Sequence, residues 1–233
     1  MNIELKKFNL SKSLNEASVY YIYGHPNSGK TRLAKHFIDY KLTNNLSKQV
    51  VVITPPTNSY SEIDDATIHD KYDNEIIGGI LLDCRETWRS FAGELYKKRI
   101  ENYTLVLDDI FLQNGRLDKV AHCSKNNMFQ FLFTHGRCYN MTTIMTTHFC
   151  FPFSPLFRPN IDFFFVLTAD EKFYAFYEEY LRNTFPTFED FHQTFELYKQ
   201  KNENTCFVFD FYGFPNDAFY YTFESFGRPY TLK

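Results

Sequence analysis

ASVYYIYGHPNSGKTRLAKHFIDYKL, residues 17–42, decides how the rest of the chain is read. Ala17–Tyr23 is rich in β-branched and aromatic residues and runs into a glycine, which predicts a buried strand. From Lys30 onward, Leu33, Phe37 and Tyr40 fall on one face of a helix. Between the two lies Gly24-His25-Pro26-Asn27-Ser28-Gly29-Lys30-Thr31, which satisfies G-x-x-x-x-G-K-[ST] at every fixed position. Glycine at each end lets the backbone wrap so that successive N–H groups point inward. Those amides and the N-terminus of the helix suit the β-phosphate of ATP. Lys30 brings a point charge to the β and γ oxygens, and Thr31 offers a hydroxyl to Mg²⁺. The bare motif also arises by chance in turns. The strand before it and the amphipathic helix after it are the context that chance does not supply.

A second motif lies downstream. Tyr103–Leu107 is an apolar strand that enters Asp108-Asp109. Two adjacent carboxylates at the end of a buried strand are costly unless a cation sits with them. Asp108 is the candidate Mg²⁺ ligand, directly or through water, and Asp109 the group that polarises the attacking water. A strand ending in an acidic turn is the plainer alternative. Between the two motifs runs an additional strand, Gln49–Thr54 (QVVVIT), stopped by Pro55-Pro56. That points to the form of the fold in which a strand separates the phosphate strand from the metal strand. In that form a carboxylate beside the metal ligand activates water. Kinase-type relatives keep the two strands adjacent, so the strand count favours hydrolysis coupled to motion.

The remaining pattern alternates. Residues 55–75 are polar and acidic and read as a mobile loop with a short helix. Arg85–Ile100 and Asp118–His135 read as helices, Thr142–Thr147 and Ile161–Leu167 as strands. The expected class is therefore α/β, a central and mostly parallel sheet flanked by helices, with ligands at the C-terminal ends of the strands. After Asp170 two helical stretches, Lys172–Arg182 and Phe188–Gln200, precede strand-like Thr205–Phe211 and Phe219–Phe223, with Gly213 and Pro215 as turn residues. The reading is a single domain over 1–233: a core at about 17–169 and an α+β C-terminal extension at about 170–233 packed on the same sheet.

Composition sets limits. The 233 residues suffice for a full core, and 27 Phe with 17 Tyr argue for dense packing in the C-terminal third. A net charge of −3 argues against a monomer that coats nucleic acid by bulk charge. The five cysteines form no CxxC pair and no zinc spacing, which fits free thiols in a reducing compartment. The N-terminal MNIELKKFNLSKS lacks a signal-peptide core, and no run approaches the roughly 18 apolar residues of a membrane helix. The expectation is a soluble intracellular protein without a membrane segment.

A third segment, residues 134–167, carries a resemblance. It has Gly136-Arg137, then Thr142–His148, then Pro152 and Pro155, then Arg158-Pro159-Asn160-Ile161-Asp162. With the paired aspartates and the tail segments FPTFEDFHQTFELYKQ, CFVFDF and YYTF, this order resembles the FtsK/HerA superfamily. Within it, the chain is most similar to the genome-packaging ATPases of large DNA viruses of the poxvirus type. The resemblance runs from about residue 17 to near the end. It implies an ASCE, RecA-like P-loop NTPase fold. It also implies a homo-oligomeric ring with ATP between subunits, double-stranded DNA in the channel and a viral capsid or portal vertex as partner. Location would be the host cytoplasm (virus factory) or the virion.

By the same resemblance, His148 stands where the family usually has a Gln sensor. Imidazole can still hydrogen-bond a water or a γ-phosphate oxygen, and it would make hydrolysis sensitive to pH. The alternative is a histidine that caps the strand end. Arg137, with Arg158 second, is the candidate to reach a neighbour's γ-phosphate, against the alternative of a surface ion pair. Asn160 has a turn cap as its alternative. Lys6-Lys7 and Lys97-Lys98-Arg99 are basic clusters that fit a solvated face as well as a DNA contact. Two rival functions are a P-loop kinase or phosphotransferase, for which no arginine-rich lid is visible, and a non-enzymatic nucleotide-binding switch.

Overall fold

The computed structural model describes residues 4–14, 16–56, 60–91, 102–110, 112–113, 116–117, 127–148, 158–211 and 217–223. In chain order the strands are β1 (Lys6–Lys7), β2 (Val19–Tyr23), β3 (Ser47–Ile53), β4 (Ala66–His69) and β5 (Asn102–Asp108). They continue as β6 (Leu112–Gln113), β7 (Arg116–Leu117), β8 (Met141–Thr147), β9 (Phe163–Val166), β10 (Thr205–Asp210) and β11 (Asp217–Thr222). The helices are α1 (Leu10–Leu14), α2 (Lys30–Thr43), α3 (Asn74–Phe91), α4 (Asn127–His135), α5 (Tyr174–Phe176) and α6 (Phe188–Lys201). A π turn over Tyr177–Leu181 extends α5.

Nine strands form one sheet in the order β1-β11-β10-β9-β2-β8-β5-β3-β4. From β9 to β4 every pairing is parallel. β10 runs antiparallel to β9 and to β11, and β1 is parallel to β11. Leu112–Gln113 and Arg116–Leu117 pair in a separate small hairpin. The inner strands β2 (VYYIY) and β8 (MTTIMTT) are buried at every position. Helices cover both faces of a parallel sheet, so such strands read as continuous apolar or β-branched runs.

Alternate residues supply two cores. Val19, Tyr21 and Tyr23 face one side with Phe164 and Val166, under α3, α4, α5 and α6. Tyr20 and Ile22 face the other with Phe163 and Phe165, under α1 and α2. Most of the described phenylalanines of the C-terminal third fill the first core. Ring centroids are 4.3 Å apart for Phe164–Phe176, 5.2 Å for Phe173–Phe191 and 5.0 Å for Phe195–Phe207. Edge-to-face and offset pairs of this kind add to the burial of each ring.

Several elements differ from the sequence reading. The polar stretch 55–75 holds strand β4, paired in parallel with β3 at the sheet edge. Helix α3 begins at Asn74, eleven residues before the expected start at Arg85. Of the helix read at Asp118–His135, the part from Asn127 is described, and 118–126 lie outside the described residues. So do Lys97-Lys98-Arg99, Pro152 and Pro155. The strand separating β2 from β5 is β8, while β3 lies on the far side of β5. No described helix is long and apolar enough to cross a membrane.

Candidate nucleotide-binding and hydrolysis site

The parallel register brings four strand ends to one edge. Tyr23 pairs with Thr147 on one side and Val166 on the other, and Asp108 pairs with Thr146. The residues that follow, Gly24, His148, Leu167 and Asp109, therefore emerge side by side. Pro26, Asn27, Gly29, Lys30, Thr31, Arg32, Asp109 and His148 line an open pocket of about 500 Å³ there.

Residues 24–31 form a loop between β2 and α2. Gly29 has φ +98° and Asn27 φ +62°. Glycine tolerates that left-handed region freely, and Asn better than most residues. A Cβ on Gly24 would lie 2.3 Å from Ser28 Oγ and 3.1 Å from Leu167 Cβ, so a side chain there must turn the Ser28 hydroxyl aside and press on Leu167. Ser28 Oγ is buried with no hydrogen-bond partner among the described residues. A buried orphan donor beside a glycine-built cradle is what a phosphate oxygen would satisfy. The loop is braced from below. His25 N donates to Thr168 Oγ1 at 3.1 Å, and His25 Nε2 lies 3.0 Å from Asp170 Oδ2. Tyr23 Oη donates to Asp170 Oδ1 at 2.7 Å, as does Phe173 N at 3.1 Å.

Lys30 is 4% exposed and donates to the His25 carbonyl at 2.9 Å. Its Nζ also lies 2.8 Å from His148 Nδ1. Burial lowers the Lys30 pKa, and Asp109 and Asp108 act against that shift. Asp108 is fully buried. Thr31 donates to its Oδ2 at 3.0 Å, and Thr146 donates to its Oδ1. Burial raises the Asp108 pKa, the Thr146 hydroxyl opposes this, and the neighbouring Asp109 raises it further. Asp109 has φ +52° and bonds through its N–H to Thr146 Oγ1 at 3.1 Å. Its Oδ2 lies 3.0 Å from His148 Nε2, and its buried Oδ1 has no hydrogen-bond partner among the described residues.

His148 thus joins the lysine to the second aspartate. With Nδ1 accepting from the Lys30 ammonium, the imidazole proton would sit on Nε2 toward Asp109; the same Nδ1 also lies 3.3 Å from the Gly24 carbonyl oxygen. The oxygens of Thr31 and Asp108 form a hard donor pair of the kind Mg²⁺ takes together with nucleotide oxygens and water. The residues present therefore fit both the triphosphate and the metal.

Two candidates lie elsewhere. Arg137 sits in a 3₁₀ turn (Gly136–Tyr139) just before β8, at the opposite edge of the sheet. It pairs with the buried carboxylate of Asp162, which also accepts the Val19 N–H at 2.7 Å. Within one chain, the guanidinium is engaged away from the pocket. Arg158 belongs to a 3₁₀ turn (Arg158–Asn160) ahead of β9, also at that opposite edge, and its side chain lies outside the described residues.

Four neighbours were not singled out in the sequence: Thr146, Thr168, Asp170 and Tyr60. Burial and then the two aspartates push the Tyr60 phenol well above its ordinary pKa. Thr168 and Asp170 follow the end of β9 at Val166, and that position after a C-terminal strand edge is the one signal the sequence carries for them.

No protein-family model matches the chain, and no curated protein matches it in sequence. Solved structures match it in fold. The genome-packaging NTPase B204 of Sulfolobus turreted icosahedral virus 2, solved with sulfate, has a TM-score of 0.55 at 12% identity, over 90% of this chain and 98% of its own. TcpA, the conjugation coupling protein of pCW3, solved with ATPγS, has a TM-score of 0.60 at 9% identity, over 89% of this chain and 60% of that one. The cytoplasmic domain of the type VII secretion ATPase EccC of Thermomonospora curvata has a TM-score of 0.57 at 11% identity, over 88% of this chain and 25% of its own. The chain has the P-loop NTPase fold that these proteins share.

Proposed function

We propose that the chain is an ATP-hydrolysing motor that moves double-stranded DNA, and that its task is to package a viral genome into a capsid. The observation that carries the ATPase reading is the convergence of Lys30, Thr31, Asp109 and His148 on one pocket, with Asp108 buried behind it and bonded to Thr31, and a buried Asp109 oxygen without a partner among the described residues. In this reading the loop amides and Lys30 hold the β and γ phosphates. Thr31 and Asp108 hold Mg²⁺, which when bound neutralises charge on the phosphate oxygens. Asp109 orients the attacking water and accepts its proton, and His148 fixes the Asp109 carboxylate. An intact catalytic carboxylate beside the metal ligand favours turnover over a binding-only switch.

The DNA and packaging parts rest on the order of elements in residues 134–167 and on the kind of protein that shares the fold. A homo-oligomeric ring would let a chain of net charge −3 track DNA through a few repeated basic contacts. Arg137 and Arg158 remain the proposals for an arginine acting across a subunit boundary. For Arg137 this requires release from Asp162, a buried carboxylate that would keep the Val19 N–H and lose its cation.

ATPase assays with and without double-stranded DNA test the reading. Stimulation by the duplex supports it. Transfer of phosphate to a small acceptor without DNA would favour a kinase. Asp109→Asn should bind ATP and fail to turn it over, and normal hydrolysis by that variant would overturn the catalytic assignment.

A further inference from the structure

Thr146 lies on β8, directly opposite Asp108 on β5 and Ile22 on β2. It is fully buried, so its hydroxyl has no water to turn to. The hydroxyl donates its proton to Asp108 Oδ1 and accepts the Asp109 N–H at 3.1 Å. A hydroxyl has one proton to give, and here it goes to the first carboxylate while a lone pair holds the backbone of the second. The other Asp108 oxygen is taken by Thr31 at 3.0 Å, so the plane of that carboxylate is fixed at both ends. Asp109 adopts φ +52°, a region an L-residue enters at some cost, and the bond to Thr146 is made at that residue's own N–H. Its carboxylate then meets His148 at 3.0 Å.

We propose that Thr146 is a positioning residue: one buried hydroxyl sets the orientation of the Asp108 metal-binding carboxylate and the backbone of the Asp109 water-activating carboxylate together. This rests on the ATPase reading above. Thr146 touches neither nucleotide nor water in this scheme; it acts through the two aspartates. Partners that orient a metal-binding carboxylate commonly change metal affinity or activity by about 10–100-fold when removed.

The test compares T146V, T146S and T146C in the full chain. Valine keeps the shape and loses the hydroxyl. Serine keeps the hydroxyl and loses a methyl. Four quantities are read: kcat, KM for ATP, the Mg²⁺ concentration for half-maximal rate, and Mn²⁺ affinity of the nucleotide complex by electron paramagnetic resonance. For T146V the expected result is KM within about threefold of the parent. Its kcat should fall by about 10–100-fold, with weaker Mg²⁺ and Mn²⁺ binding. T146S should recover most of both. A parent-like kcat and metal affinity in T146V would overturn the proposal, as would a T146S variant impaired as severely as T146V. If valine prevents folding, T146C supplies the same loss of a strong donor at nearly serine size, with the same expected results. If the parent itself hydrolyses no ATP, the ATPase reading fails. Mn²⁺ affinity then decides the positioning role alone: loss in T146V with recovery in T146S supports it, and no change overturns it.

Discussion

Asp108 is ringed by hydroxyls, with Thr31 and Thr146 donating to its two oxygens. Burial raises its pKa, so without a metal the ionised form costs stability. The sign follows from linkage. A carboxyl whose folded pKa lies above its unfolded value favours the fold most at low pH. That contribution is lost as pH rises from the ordinary Asp range through the raised folded pKa. Asp108→Asn removes the charge at nearly constant shape. We expect the nucleotide-free protein to melt about 2–6 °C higher near pH 7, and the rise to shrink toward acid pH. The added stabilisation by Mg²⁺ with ATP should vanish in the same variant, which thermal melts with and without ligand would show.

Arg137 is paired with a buried carboxylate. Its partner Asp162 is 2% exposed and also holds Val19 N. Burial raises the Asp162 pKa, while the Val19 N–H and the Arg137 guanidinium pull it down. Removing one member of such a pair strands the other. Arg137→Ala should lower stability by about 1–3 kcal/mol in urea unfolding of the isolated chain. An unchanged midpoint would show that the guanidinium is dispensable inside the subunit.

At the scale of elements, the loop between β2 and α2 depends on the space at Gly24. Gly24→Ala drives a Cβ against Ser28 Oγ at 2.3 Å. We expect nucleotide affinity to fall by on the order of tenfold or more while far-UV circular dichroism stays unchanged, since overpacking here costs about 1–3 kcal/mol locally. This loop and the Asp108-Asp109 pair were legible in the sequence because each is a local pattern on a strand end. Thr146 and Asp170 were not, because what defines them is a partner across the sheet: Asp108 is 38 positions from Thr146, and Tyr23 is 147 from Asp170. Strand β4 has the sequence texture of a loop because Ala-Thr-Ile-His at the sheet edge is exposed or half-exposed throughout and shows no buried alternation. The start of α3 was hidden by Gly78-Gly79, which sit inside the helix against their own propensity. There Gly79 has open space around it and Gly78 lies against Met128.

Among the described residues one principal sheet carries both the candidate nucleotide site and the C-terminal strands. Phe207 on β10 packs against Phe191, Phe195 and Tyr198 of α6, in the same core as Tyr21 and Leu105. Phe207→Ala should therefore destabilise the entire protein by about 3–5 kcal/mol. Calorimetry should show one transition moving down as a unit. Two separate transitions would mean that the C-terminal strands fold as their own domain.

One feature of that sheet reaches further. β8 bonds to β2 on one side and to β5 on the other along its length. β2, which leads into the 24–31 loop, thus lies two interstrand spacings, about 9–10 Å, from β5, which ends in Asp108. Backbone bonding sets that width, and backbone bonding is indifferent to which side chains the strands carry. Evolution is free to rewrite the letters on either bank while the channel between them keeps its breadth, which is how a chain can share only 12% of its residues with another and still hold the same shape.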